Sequence, residues 1–171
     1  MKILYLAHRI PYPPNKGDKI RSFHAIRCLS RRHDVHLACL ADSRSDLRYE
    51  QDLRRFCRRV SVAPLHRTRS RIRGASFLVS GRPLSVGYFH AEPLQRTVNR
   101  WLSTERYSAV VCFSSPMAEY LFRSPAPGNP IRSRDTVLVM DFCDVDSDKW
   151  EQYGKASRFP LSLLYGLESR R

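Results

Sequence analysis

Apolar residues fall along the chain in short runs that alternate with stretches of helical period. Residues 2–7, Lys-Ile-Leu-Tyr-Leu-Ala, are apolar without alternation after the first position. That is the pattern of a strand buried on both faces of a parallel sheet. A turn-rich stretch with Pro11, Pro13, Pro14, Asn15 and Gly17 follows. Residues 18–31 then place Ile20, Phe23, Ile26 and Leu29 at helical spacing, with Asp18 positioned to cap the helix. Residues 35–40 predict a second strand, and 46–59, with Leu47, Leu53 and Phe56, a second helix. Residues 60–64 predict a short third strand. Strand, helix, strand, helix, strand predicts a parallel α/β sheet with right-handed crossovers.

The second half continues the pattern. Residues 92–105 predict a helix with Leu94, Val98, Trp101 and Leu102 on one side, and 109–113 a fourth strand. A short helix is expected over 114–122, a proline-rich surface loop over 124–135 and a fifth strand over 136–140. A last helix from 159 to 171 carries Leu161, Leu163, Leu164 and Leu167 without a C-cap glycine. An apolar helix of this kind needs something to pack on, so the reading divides the chain into a domain over 1–158 and a lead-in helix over 159–171. It expects a longer protein.

Composition narrows the picture. The length of 171 residues with 42% hydrophobic suits one packed domain. No run of about 18 apolar residues is present. The apolar start is too short for a signal peptide, so the expected location is cytoplasmic. Charge is lopsided: 30 Lys and Arg stand against 16 Asp and Glu, a net +14. Only Lys2, Lys16, Lys19, Lys149 and Lys155 are lysines; the other bases are arginines. A positive field of this kind attracts nucleic acid, anionic headgroups or phosphorylated small molecules, and is equally what a solvated arginine-rich surface gives. The five cysteines form no C-x-x-C pair, which reads as small buried hydrophobes in a reducing compartment rather than a metal site.

In open α/β sheets ligands sit beyond the carboxyl ends of the strands. The loop after the first strand is long and stiffened by proline, and Gly17 lies just before a helix N-terminus. Free N–H groups there make an anion site, with charge from Arg9, Lys16, Lys19 and Arg21; a stiff loop with solvated bases is the other reading. It matches neither G-x-G-x-x-G nor a Walker loop. After the fourth strand, Ser114 and Ser115 are either an N-cap or hydroxyls offered to a ligand. After the fifth, Asp141, Asp144, Asp146 and Asp148 precede Lys149 and Trp150. The first two carboxylates suit a general base or a hydroxyl acceptor, and Trp150 a stacking wall; helix capping and counter-charge are the plain alternatives. A calcium loop lacks its glycine and distal glutamate. Residues 66–73 alternate Arg67, Arg69, Arg71 and Arg73 ahead of an apolar segment, suiting an anionic membrane surface or a solvated helix entry.

Taken together, Pro-Pro-Asn-Lys-Gly-Asp-Lys-Ile-Arg-Ser-Phe at 13–23, His33-Asp34-Val35, Phe-Ser-Ser-Pro-Met-Ala at 113–118 and the block from Asp141-Phe142 to Lys149-Trp150 resemble the N-terminal domain of GT-B glycosyltransferases of the family-4 kind. The closer likeness is to sugar transferases of bacterial exopolysaccharide loci that accompany a PEP-CTERM/exosortase system, and it covers essentially the whole chain. The resemblance implies a Rossmann-like parallel sheet flanked by helices, serving as the acceptor-side half of a two-domain enzyme. The donor is a nucleotide-diphosphate sugar, bound as co-substrate with no metal or other cofactor, and the acceptor is lipid-linked or a polysaccharide. The resemblance also implies a peripheral position at the inner face of the plasma membrane. A separate C-terminal domain would hold the donor, so the fragment alone would be inactive. Gly17 matches the glycine facing the donor diphosphate, although Lys16 stands where the family usually has a second glycine. Arg9, Asp18, Arg21, Ser114, Ser115, Lys149 and Trp150 are implied around donor phosphate and acceptor. Where many relatives carry a histidine after the fifth strand, this chain offers Asp141, Cys143 and Asp144, with Asp144 favoured as base. The competing expectation is a basic α/β binding module for nucleic acid or a phosphorylated metabolite.

Overall fold

The apolar runs become strands in a computed structural model that describes residues 1–66, 68, 70–74, 83–132, 135–143, 151–153, 155–158, 162, 165–166 and 169. The strands are β1 (Lys2–Ala7), β2 (Asp34–Ala41), β3 (Arg59–Pro64), β4 (Ala109–Phe113) and β5 (Val137–Asp141). They form one all-parallel sheet in the order β3-β2-β1-β4-β5. The helices among the described residues include α1 (Gly17–Leu29), α2 (Glu50–Leu53), α3 (Leu84–Tyr88), α4 (Glu92–Thr104) and α5 (Glu119–Phe122). This is the expected Rossmann-like α/β arrangement. None of the helices is long and apolar enough to cross a membrane, among the described residues.

Helices on both faces explain why β1 and β2 show no polar alternation. One face presents Leu4, Leu6, Ala38, Leu40, Val110 and Cys112 to Leu94, Val98, Trp101 and Leu102 of α4 and to Tyr120 and Leu121 of α5. The other presents Tyr5, Val35, Leu37, Cys39 and Phe113 to Phe23 and Ile26 of α1, with Leu53 and Cys57 beside them. Successive side chains of each central strand therefore enter different cores. β5 differs: at the outer edge it leaves Val137, Leu138 and Val139 at 62%, 46% and 42% exposure.

Several boundaries and one element depart from the sequence expectation. The second helix over 46–59 is replaced by a 3₁₀ helix, Arg44–Tyr49, and the single turn of α2. Tertiary contacts outweigh the local period there: Tyr49 packs on Tyr12 with ring centroids 5.5 Å apart, and Phe56 on Phe23 at 5.4 Å. The helix over 114–122 opens as a 3₁₀ helix, Ser115–Ala118, before α5. α1 starts one residue early, at Gly17, with Lys16 as N-cap and no capping side chain. Asp18 therefore lies inside the first turn and its carboxylate serves other partners. Most of 159–171 lies outside the described residues, and so does the apolar segment after Arg73.

The strand order reverses beside β1. The chain steps outward through β2 to β3, then returns to place β4 on the other flank of β1. The loops leaving β1 and β4 must part at that point, which opens a crevice at the carboxyl ends of the two strands.

Candidate functional site

A cleft of about 620 Å³ occupies that crevice. Its floor and one wall come from the β1–α1 connection: His8, Arg9, Gly17, Asp18 and Arg21. Leu84, Ser85, Tyr88 and Phe89 of α3 and its C-cap form the opposite wall. Phe113, Ser114 and Pro116 close the β4 end, and Cys143 lies at the β5 side.

His8, the first residue beyond β1, is at the centre. It is 8% exposed and clasped between two aromatic rings. Phe113 stacks on it at 5.9 Å and 11°, and Phe89 meets it edge-on at 5.3 Å and 86°. Its Nε2 is 3.4 Å from Asp18 Oδ2, and its Nδ1 is buried with no hydrogen-bond partner among the described residues. Asp18 also accepts from Arg9 Nη1 at 2.9 Å and from the Lys19 backbone N–H at 2.9 Å. His8 first, then Arg9 and the Lys19 N–H, hold the Asp18 carboxyl well below the usual carboxylate range, against the opposing effect of burial. Arg9 in turn reaches Asp42, beyond β2, with Nε 3.0 Å from Oδ2. The loops after β1 and β2 are tied together by one alternating chain of charges.

A second ion pair crosses the cleft mouth. Arg21, one turn into α1, is 2.8 Å from Asp141 at the end of β5. Tyr5 lies buried in the same region with its hydroxyl unpartnered among the described residues, and burial, then the charges of Asp141 and Cys143, push that hydroxyl's pKa up.

The expected bases therefore do not act as a free cationic cluster. Arg9 and Arg21 are both engaged by carboxylates. Lys16 is exposed and does not line the cleft, and Lys19 turns into the protein at 6% exposure. Counting Asp18, Asp42 and Asp141, the described part of the cleft is nearly charge-balanced. It offers paired carboxylate and guanidinium groups beside aromatic faces. The structure brings together Arg9, Gly17, Asp18, Arg21, Ser114 and Asp141, while Ser115 starts the 3₁₀ helix beside them. Asp144, Lys149 and Trp150 lie outside the described residues.

Two local features shape this site. Ser114 makes no capping side-chain bond; instead it carries φ 82° and ψ 140°. That region is nearly restricted to glycine, and strain of this kind concentrates at ligand sites. Its N–H donates to Asp141 O at 2.8 Å, which fixes the β4 end against β5. Gly17 has the opposite character: a Cβ there would meet no atom within 4 Å. No packing demands a glycine, and the space beside it is cleft.

The aromatic wall is held from behind. Tyr120 of α5, 1% exposed, donates its hydroxyl to Phe89 O at 2.7 Å and accepts from Ala91 N at 2.8 Å. Arg73 donates to His90 O, and His90 stacks on Tyr120 at 5.5 Å. Sequence reading by strand ends missed this wall, because Leu84–Phe89 does not directly follow any strand among the described residues. It also passed over His8, whose position immediately after an apolar strand was the available signal. Compared with protein-family models, curated proteins and solved structures, the chain finds no match.

Proposed function

We propose that this chain is the acceptor-side domain of a glycosyltransferase that moves a sugar from a nucleotide-diphosphate sugar to a saccharide or lipid-linked acceptor. The observation that carries the reading is the charge-balanced cleft around His8, with Asp18 behind it and Phe89, Phe113 and Tyr88 around it. Sugars present many hydroxyls and apolar ring faces. Carboxylate, guanidinium and hydroxyl groups beside aromatic walls match both. A phosphorylated metabolite or nucleic acid is less well served here, since both arginines already hold carboxylates.

In this proposal His8 accepts the proton of an acceptor hydroxyl at Nδ1, the ring nitrogen that does not face Asp18. The oxygen forms a bond to the anomeric carbon of the donor, the bond from that carbon to the diphosphate breaks, and nucleoside diphosphate leaves with the electron pair. Asp18 stabilises the imidazolium that results. Asp141 is already 2.8 Å from Arg21, an arrangement that suits orienting the guanidinium. The expectation of Asp144 as base remains part of the proposal's alternatives: His8 and Asp144 are told apart by substitution.

The test uses the protein expressed from its whole gene, with UDP- and GDP-sugars and a panel of saccharide acceptors, reading release of nucleoside diphosphate. Acceptor-dependent release is expected, lowered about 10²–10⁴-fold by His8→Ala with an unchanged circular dichroism spectrum. Absence of acceptor-dependent release overturns the transferase reading. Full activity in His8→Ala with loss in Asp144→Asn moves the base to Asp144.

A further inference from the structure

A second group of arginines lies at the other end of the sheet, two of them paired with carboxylates and a third with no acidic partner among the described residues. Arg59 opens β3, opposite His36 at the amino-terminal side of the strands. Arg54 follows α2, and Arg100 lies in the second half of α4. Three arginines from three parts of the chain thus line one depression of about 310 Å³, together with Val60, Trp101 and Thr104.

We propose that Arg54, Arg59 and Arg100, converging over Trp101 at the amino-terminal end of the sheet, form a phosphate-binding site separate from the cleft. Arg54 is steered by Glu50, Nη2 to Oε1 at 2.7 Å, and Arg59 by Glu105, Nη1 to Oε1 at 2.9 Å. Each contact uses one nitrogen of a five-donor fork and leaves the remaining N–H groups available. Glu105 is shared with Lys2 as well, and Arg100 has no acidic partner among the described residues. Glu50 and Glu105 offset two of the three guanidinium charges, and the excess positive charge, with Arg100 unpaired, attracts an anion. Complementing a helix C-terminus does not account for Arg100, since the last turn of α4 carries no base. Exposed Arg55 and Arg58, in the connection that leads into β3, add to the same field.

The ligand chemistry is a phosphate group, which guanidinium forks bind in bidentate fashion. Its source is either a free phosphorylated molecule or the headgroup of an anionic phospholipid. Titration calorimetry with inorganic phosphate and pyrophosphate probes the first. Cosedimentation with phosphatidylcholine vesicles, with and without phosphatidylglycerol, probes the second. Saturable binding is expected in at least one arm, weakened about tenfold by Arg100→Gln. Arg54→Gln weakens it to a similar degree and serves as a second variant if the first melts early. Arg96→Gln, exposed on α4 outside the depression, and Arg21→Gln, in the cleft, are expected to leave it unchanged. Binding in the calorimetric arm assigns a free ligand, and binding to the anionic vesicles alone assigns a headgroup. No saturable binding in either arm overturns the proposal. So does equal weakening by Arg96→Gln, which would mark diffuse attraction to the net charge, or loss in Arg21→Gln, which would put the phosphate in the cleft.

Discussion

Replacing Asp18 by Asn removes one negative charge and changes almost nothing in volume. The side chain is 19% exposed and touches His8 at 3.4 Å and Arg9 at 2.9 Å, with the Lys19 N–H at 2.9 Å. An asparagine oxygen still accepts from Lys19, so the loss falls on the contacts with Arg9 and His8. Hydrogen bonds to charged groups contribute about 1.5–3 kcal/mol each. Arg9 keeps Asp42, and the site retains some solvent, so the total is expected near the lower figure, about 2 kcal/mol. At this chain length that corresponds to a Tm lower by about 4–8 °C. The pH dependence follows from the depressed folded-state pKa of Asp18. Its contribution is complete above the unfolded carboxylate value, ~3.9, and is lost as pH falls below that value through the folded one. Urea unfolding of wild type and Asp18→Asn should therefore differ by a constant amount from pH 7 down to about 4 and converge below it. A gap that persists unchanged to pH 3, or no gap at pH 7, refutes the account of Asp18 as the charged partner of His8 and Arg9.

Two further substitutions probe the walls of the cleft. Ser114→Gly releases a backbone held at φ 82°, a strain of about 1–3 kcal/mol partly offset by glycine's entropy, so thermal unfolding should shift upward by a few degrees. A downward shift would show that the serine hydroxyl contributes more than the strain. Tyr120→Phe leaves Phe89 O and Ala91 N without the buried hydroxyl that joins them, costing about 1–3 kcal/mol in urea unfolding. Since it loosens Phe89 against His8, saccharide binding in the cleft should weaken with it.

The fold was legible because a parallel sheet buried on both faces writes itself as uninterrupted apolar runs, as in Leu4-Tyr5-Leu6-Ala7 and Val35 to Leu40. α4 was legible for a similar reason: Leu94, Val98, Trp101 and Leu102 mark its buried stripe. The 46–59 segment was not, since Tyr49 and Phe56 are drawn off a helical course by Tyr12 and Phe23, residues some thirty positions earlier. The site was half legible. The long loop after β1 and its glycine announced themselves by proline and glycine content. Pairing did not: nothing local says that Arg9 spends its charge on Asp18 and Asp42, or Arg21 on Asp141. Asp42 and Asp141 sit at the ends of other strands, which only the strand order brings beside Arg9 and Arg21, so a count of arginines overstates the cleft's attraction for anions.

The outer strand of the sheet bears on how copies of this chain behave toward one another. β5 offers an apolar ribbon, Val137, Leu138 and Val139, open on a sheet margin. Such a margin is a template for another strand. The net charge of +14 opposes such contact by mutual repulsion. Repulsion reaches only about 10 Å at 0.1 M salt and about 3 Å at 1 M, while apolar contact is indifferent to that screening. Added salt is therefore expected to favour contact between β5 margins, which light scattering at about 0.1 M and about 1 M salt reads as a rise in apparent mass.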